Sequence, residues 1–279
     1  MTMTKIDVIV IGGGVGGTTV ANGLAAKGRE VAIVEERDWG GTTINRGSTP
    51  KKALLAIAET HHQLTRLQGN GFDSVPPINW RTAGNIRDQL IMDESTRTKT
   101  RLLENGVTTI EGHATFLDAH TITVQGETYQ ADQIVLATGA KPRPLHFPGQ
   151  QYVGHSATLL RAHELPQRIV ILGAGIIAFA LASIASEAGA DVLIVQHDDV
   201  ALRAFDQEFV TTLMTQLAQQ NVTFSFDTQV HTITKTSSGL TVQLDHQNKL
   251  ETVTADAVYN VTGRVPNIAG FGLETVALK

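Results

Sequence analysis

The sequence predicts an α/β protein built on two parallel sheets with additional antiparallel strands, and three observations carry that prediction. One pattern, strand, glycine-rich turn, helix, strand, occurs twice along the chain. The strands of both copies are near-continuous runs of Val, Ile and Leu, the mark of strands buried on both faces. The composition, 42% apolar over 279 residues, is sufficient for a packed core.

The first copy opens with a strand over Lys5 to Ile11, then Gly12-Gly13-Gly14-Val15-Gly16-Gly17, a helix to about Lys27, and a strand from Glu30 to Val34 ending in Glu35. A helical stretch follows Pro50 through Leu54, Ile57 and Leu64. Pro76-Pro77 marks a linker, and a second helix is expected from Trp80 to about Asn105. Strands are expected near Thr108 to Phe116, Thr121 to Val124 and Gln133 to Leu136, with Asn105-Gly106 and Gly126 as turn signals. Lys141-Pro142-Arg143-Pro144 reads as a hinge. The second copy is the strand Arg168 to Leu172, Gly173-Ala174-Gly175-Ile176-Ile177-Ala178, a helix to about Ala188, and the strand Asp191 to Val195 ending in Gln196. Strands at Val222 to Phe226, Val230 to Thr234, Leu240 to Leu244 and Val258 to Val261 complete a second domain.

Both copies place the GxGxxG/A spacing between a strand and a helix, which is the context that the dinucleotide-binding fingerprint requires. The first glycine (Gly12, Gly173) makes the tight turn and the second (Gly14, Gly175) lets a pyrophosphate approach the backbone. The third position (Gly17, Ala178) lets helix pack on strand. The helix N-terminus presents unpaired N–H groups to the phosphates. The fold expected is therefore two Rossmann-like dinucleotide-binding domains.

Other functions are disfavoured. The 22 basic and 27 acidic residues, net −5, form no basic run for nucleic acid. Ile169 to Ser186 is uncharged over 18 residues, but Gly173-Ala174-Gly175 divides it into a buried strand and a small-residue helix rather than a membrane span. The amino terminus has no signal-like apolar stretch, and the absence of cysteine suits a reducing compartment, so a cytoplasmic location is expected. His61-His62 is the only adjacent histidine pair, without a metal-ligand constellation around it, and is expected on a helix surface.

The segment Gly40-Gly41-Thr42-Thr43-Ile44-Asn45-Arg46-Gly47-Ser48-Thr49-Pro50-Lys51 resembles the redox-active segment of the pyridine nucleotide-disulfide oxidoreductases, the glutathione reductase and dihydrolipoamide dehydrogenase family, whose pattern is GGTCxNxGCxPxK. Three further stretches are similar to family motifs: Glu111 to Phe116, Ala137-Thr138-Gly139-Ala140, and Thr262-Gly263-Arg264-Val265-Pro266-Asn267. The resemblance implies FAD at the first turn, held by Gly12, Gly14, Gly17, Glu35, Thr42, Lys51, Ala114, Gly139 and Arg264. It implies a nicotinamide nucleotide at the second turn, held by Gly173, Gly175, Ala178, Gln196, His197, Arg203 and Gly263. Domains are expected over residues 1–149 for FAD, 150–266 for NAD(P) and 267–279 for the start of a return to the first.

Glu35 and Gln196 both lie 23 positions after the first glycine of their turn, so a ribose-reading acid becomes a neutral amide in the second copy. His197 and Arg203 fall where glutathione reductase keeps its phosphate-binding arginines. NADP is therefore expected over NAD.

The chain also departs from the family. Thr43 and Ser48 replace the two redox cysteines, and an alcohol is not a thiolate near neutral pH, so no catalytic residue for dithiol chemistry is assigned. Ala180 replaces the glutamate that pairs with the lysine matching Lys51, and Ile176 replaces a tyrosine over the flavin. The return strand and interface domain of the family have no counterpart in the sequence, so an incomplete flavin domain, possible cover by a partner, and a monomer are expected. The resulting expectation is an NAD(P)H oxidoreductase that passes electrons through FAD to a diffusible acceptor. The alternative is a nucleotide-binding fragment or paralogue without turnover.

Overall fold

The structure is a computed structural model that describes residues 5–276. In chain order the first elements are β1 (Lys5–Ile11), α1 (Val15–Ala25), β2 (Val31–Glu35), α2 (Gly41–Asn45), α3 (Ser48–Arg66) and α4 (Trp80–Glu104). Next come β3 (Thr108–Glu111), β4 (Ala114–Asp118), β5 (Thr121–Val124), β6 (Glu127–Leu136), β7 (Ala140–Pro142), β8 (Val153–His155) and α5 (Ser156–Leu160). The remainder are β9 (Arg168–Leu172), α6 (Ile176–Glu187), β10 (Asp191–Val195), α7 (Gln207–Ala218), β11 (Val222–Ser225), β12 (Thr228–Thr236), β13 (Gly239–His246), β14 (Lys249–Ala255), β15 (Ala257–Asn260) and β16 (Arg264–Pro266).

Two compact units result, and neither is a continuous block. The first contains residues 1–49, 89–141 and 265–279; the second contains 50–88 and 142–264. The expected blocks 1–149, 150–266 and 267–279 differ from this mainly at residues 50–88, which pack with the second unit. The physical reason is visible in single contacts: Trp80 donates its indole N–H to the Ala162 carbonyl at 2.9 Å, and the fully buried Arg87 donates to the same oxygen at 3.2 Å.

In the first unit a six-stranded sheet runs β3-β2-β1-β6-β5-β4. Because side chains alternate along a strand, β1 sends Ile9 and Ile11 to one face and Val8 and Val10 to the other. Both sets are buried, the first with Phe116, Ile122 and Phe271, the second with Ile33, Trp39 and Leu102. The second unit repeats the logic in the parallel sheet β11-β10-β9-β15-β8. Ile169 and Ile171 of β9 pack with α6, and Val170 and Leu172 pack with the antiparallel sheet β12-β13-β14. The apolar run at Ile169 is thus strand, turn and helix; no helix among the described residues is long and apolar enough to cross a membrane.

Several expectations are corrected. The single strand expected over Thr108 to Phe116 is two strands on opposite edges of the sheet. Gly112, at φ +134°, breaks it where an added Cβ would lie 2.8 Å from Val124. The helix expected after Pro50 begins at Ser48, because proline is tolerated in a first turn whose N–H groups have no intrahelical acceptor. β8, α5, α7 and β14 have no counterpart in the sequence reading. β14 is almost wholly exposed and is held by pairing with β13, which apolar periodicity does not record.

Candidate functional site

At the first glycine turn, Gly12 has φ +115° and an added Cβ would sit 2.3 Å from the Ala137 carbonyl oxygen. A Cβ on Gly17 would meet the Gly12 carbonyl oxygen at 1.8 Å, so helix and strand approach as closely as only glycine permits. Gly14 begins α1 without a side-chain cap, and in front of Gly16 nothing lies within 4 Å. The turn is therefore a cradle whose backbone is exposed at the carboxyl end of the sheet, where open parallel sheets take ligands. Glu35 closes it: its carboxylate accepts from Gly13 N at 2.7 Å and Arg37 N at 2.8 Å. Two acceptor positions of the carboxylate are then left for a hydroxyl. A polar cavity of about 310 Å³ opens beside it, lined by Glu35, Trp39, Glu111 and Gly112 among others. Trp39, buried against Gly13, was not singled out from sequence.

The segment at Gly40 is docked on this turn by backbone alone. Gly40 N donates to Gly13 O at 2.8 Å, and Gly41 (φ +58°) lies so near that a Cβ would be 2.7 Å from Gly14 Cα. Asn45, 2% exposed, holds the loop by donating to Trp39 O at 2.9 Å and Gly41 O at 3.0 Å, and Arg46 pairs with Asp38. Thr42, Thr43 and Ser48 are exposed. Gly139, at φ +71°, follows β6, whose end pairs with Ile11; Ala137 N donates to Ile11 O at 2.8 Å, and Asn267 N to Gly139 O at 3.0 Å. Gly12, Gly14, Gly17, Glu35, Thr42 and Gly139 are thus all in the first unit, gathered around one sheet end. Ala114 is buried in the core at 1% exposure, so any contact it makes is through its backbone. Lys51 and Arg264 belong to the second unit.

The second turn copies the first. Gly173 has φ +101°, and a Cβ there would be 3.1 Å from Thr262 Cα; Gly175 begins α6 facing open space, and Ala178 is fully buried against the sheet. Gln196 accepts from Ala174 N at 2.9 Å, as Glu35 does from Gly13 N. Val261 N donates to Leu172 O at 2.9 Å, which brings the Thr262-Gly263 loop to the turn. Leu202 N donates to Ala174 O at 2.9 Å and brings in the loop that carries Arg203.

The structure adds a residue that sequence reading passed over. Asp198 accepts from Gln196 Nε2 at 2.6 Å and Val200 N at 3.1 Å, and pairs with Arg203; His197 Nε2 is 3.6 Å from it. The hydrogen bond from Gln196, with Val200 N and Arg203 beside it, holds the Asp198 carboxyl down at about 2, so it is ionised at any working pH. The Asp-Asp pair after His197 was its only trace in the sequence.

Two further expectations meet the structure in the second unit. Among the described residues Lys51 has no ion-pair partner. The histidine pair is not a bare helix surface: His61 Nδ1 lies 2.7 Å from Glu187 Oε1, and His62 Nδ1 2.8 Å from Gln220 Nε2. No group of metal ligands is found among the described residues.

Known proteins resemble this chain in sequence and in fold. The dihydrolipoyl dehydrogenase of Thermus scotoductus is 32% identical over 281 residues, covering 99% of this chain and 61% of that protein. The glutathione reductase of Nostoc sp. is 30% identical over 273 residues, covering 98% and 59%. The solved structure of the HOCl-induced flavoprotein disulfide reductase RclA from Escherichia coli matches with a TM-score of 0.86 at 26% identity, covering 98% of this chain and 60% of that one. The chain spans about three fifths of the length of the curated relatives it matches. Two glycine turns closed by equivalent side chains, the docked Gly40-Gly41 segment and the match of residues 6–279 to one family lead to the same place: the chain belongs to the pyridine nucleotide-disulphide oxidoreductase family, with Thr43 and Ser48 in place of its cysteines.

Proposed function

We propose that this chain is an NAD(P)H oxidoreductase related to glutathione reductase, binding FAD at the first turn and a nicotinamide nucleotide at the second, without dithiol chemistry of its own. The observation that carries the reading is the duplicated closure, Gly13 N to Glu35 and Ala174 N to Gln196, each in front of an uncapped helix start. Both cradles fit a dinucleotide: Gly16 and Gly175 leave the phosphate side open, and the 310 Å³ cavity beside Glu35 is of a size for part of an adenosine.

Bound FAD would supply two-electron uptake from a nicotinamide and release to a diffusible acceptor, chemistry that needs no cysteine. The residues of the chain bind and orient. Gly12, Gly14 and Gly17 would present backbone N–H groups to the pyrophosphate, Glu35 would accept a ribose hydroxyl, and Thr42 would lie beside the isoalloxazine end. Gly139 and backbone groups at Ala114 complete the set proposed for FAD within the first unit, and Gly173, Gly175, Ala178, Gln196, His197, Arg203 and Gly263 the set for the coenzyme within the second. A cytoplasmic location belongs to the same reading. So does a partner that covers the first unit.

Purified protein should be yellow, with the visible bands of oxidised flavin, and anaerobic NADH or NADPH should bleach it. A colourless protein that takes up no added FAD would overturn the reading. One observation favours a second reading, a nucleotide-binding protein without turnover: Lys51 has no carboxylate partner among the described residues. Flavin that binds but resists bleaching by both coenzymes would support it.

A further inference from the structure

The loop after β10 says more about the coenzyme than its residue types do. Gln196, His197 and Arg203 by themselves read as a neutral and cationic pocket for a 2′-phosphate. In the structure two of the three are already engaged by one carboxylate. The Gln196 amide is used on both sides: its oxygen takes Ala174 N at 2.9 Å, and its nitrogen donates to Asp198 Oδ1 at 2.6 Å and toward Val200 O at 3.4 Å. It has no donor left for a phosphate. Arg203 is paired with Asp198 Oδ2, and His197, 71% exposed, lies 3.6 Å from the same oxygen.

The negative charge that is lost at position 196, relative to Glu35, is therefore restored two residues later. Asp198 accepts three hydrogen bonds, from Gln196, Val200 N and Arg203, which leaves one carboxylate lone pair for a further donor. A ribose 2′-hydroxyl is such a donor. A 2′-phosphate carries about −1.5 to −2 charges and brings only acceptors. For Arg203 to reach it the arginine must leave Asp198, and the bared carboxylate would then face the phosphate. The neighbouring Asp199, which is exposed, adds to that repulsion.

We propose that Asp198 is the coenzyme-selecting residue of the second unit and that the chain prefers NADH to NADPH. The inference rests on the reading of the second turn as a nicotinamide nucleotide site, and it reverses the expectation drawn from Gln196, His197 and Arg203 alone.

Calorimetric titration of the full chain with NADH and with NADPH, at one fixed salt concentration, tests it. The wild type should bind NADH more tightly. Asp198→Asn keeps the shape and removes the charge, and it turns an amide N–H toward Arg203, which frees the arginine. The NADPH-to-NADH affinity ratio should then rise roughly tenfold or more. Arg203→Ala should abolish that gain in the Asp198→Asn background, since the two residues are coupled. A wild type that prefers NADPH, or an Asp198→Asn ratio that does not move, overturns the inference while leaving the nucleotide site intact. If the folded wild type, checked by circular dichroism, binds neither coenzyme, the proposed function of the second unit falls with it. The wild-type ratio alone decides the matter should Asp198→Asn fail to fold.

Discussion

His113 faces two acceptors and can satisfy both only as an imidazolium. Its Nδ1 lies 2.7 Å from Glu36 Oε2 and its Nε2 2.9 Å from the Gly270 carbonyl, while its ring packs 4.8 Å from Phe271. The Gly270 carbonyl, then Glu36, raises its pKa above the ordinary histidine value. A raised folded pKa contributes stability that is fully present below the unfolded value and is lost as pH rises through the folded one. The thermal advantage of wild type over His113→Gln should therefore be larger at about pH 6 than at about pH 8.5. Its size should stay below roughly 1 kcal/mol, because the pair is partly exposed. An advantage that grew with pH would contradict the assignment. Asn45→Ala should cost more, about 1–3 kcal/mol in urea unfolding, because it strips a buried donor from the Trp39 and Gly41 carbonyls. At this scale the sequence marked candidate residues at the two glycine turns but not their hydrogen-bond partners. The 23-position spacing of Glu35 and Gln196 was legible, whereas Asp198 acquires its meaning only when the chain folds back between Gln196 and Arg203.

Helices and strands meet closely where side chains are absent. A Cβ on Gly17 would be 1.8 Å from a carbonyl oxygen that cannot give way, while Gly16, its neighbour in α1, faces open space. Gly17→Ala should destabilise the first unit by more than about 2 kcal/mol, and Gly16→Ala should be neutral or stabilising by up to about 1 kcal/mol through helix propensity. Equal effects from the two would mean that α1 does not pack on β1 as described. The βαβ elements were legible because each is specified by local periodicity, an apolar strand, a glycine turn and a small-residue helix. The break at Gly112 was not. Residues 108–116 carry β-formers on both sides of Gly112, and the choice of two opposite sheet edges is made by β2 and β5, which are distant in sequence.

For the whole molecule, the two nucleotide cradles proposed in two compact units predict separable ligand responses. In hydrogen exchange, FAD should protect residues 12–17 and 35–42, and NADH residues 173–178 and 196–203. A ligand at 100 times its dissociation constant should stabilise its own unit by about 2.7 kcal/mol. Protection of both sets by either ligand alone would speak against independent sites.

By itself the sequence determined the fold class, the two glycine turns, the family resemblance and the absence of cysteine, because each is a matter of local pattern or of composition. Tertiary structure alone decided that residues 50–88 pack with the second unit, that β14 is a strand, and that Asp198 holds the side chains expected to grip a phosphate. Those outcomes come from pairings between segments far apart in the chain, or from a loop that closes on itself, and the energy of such contacts is not written in any single stretch of residues.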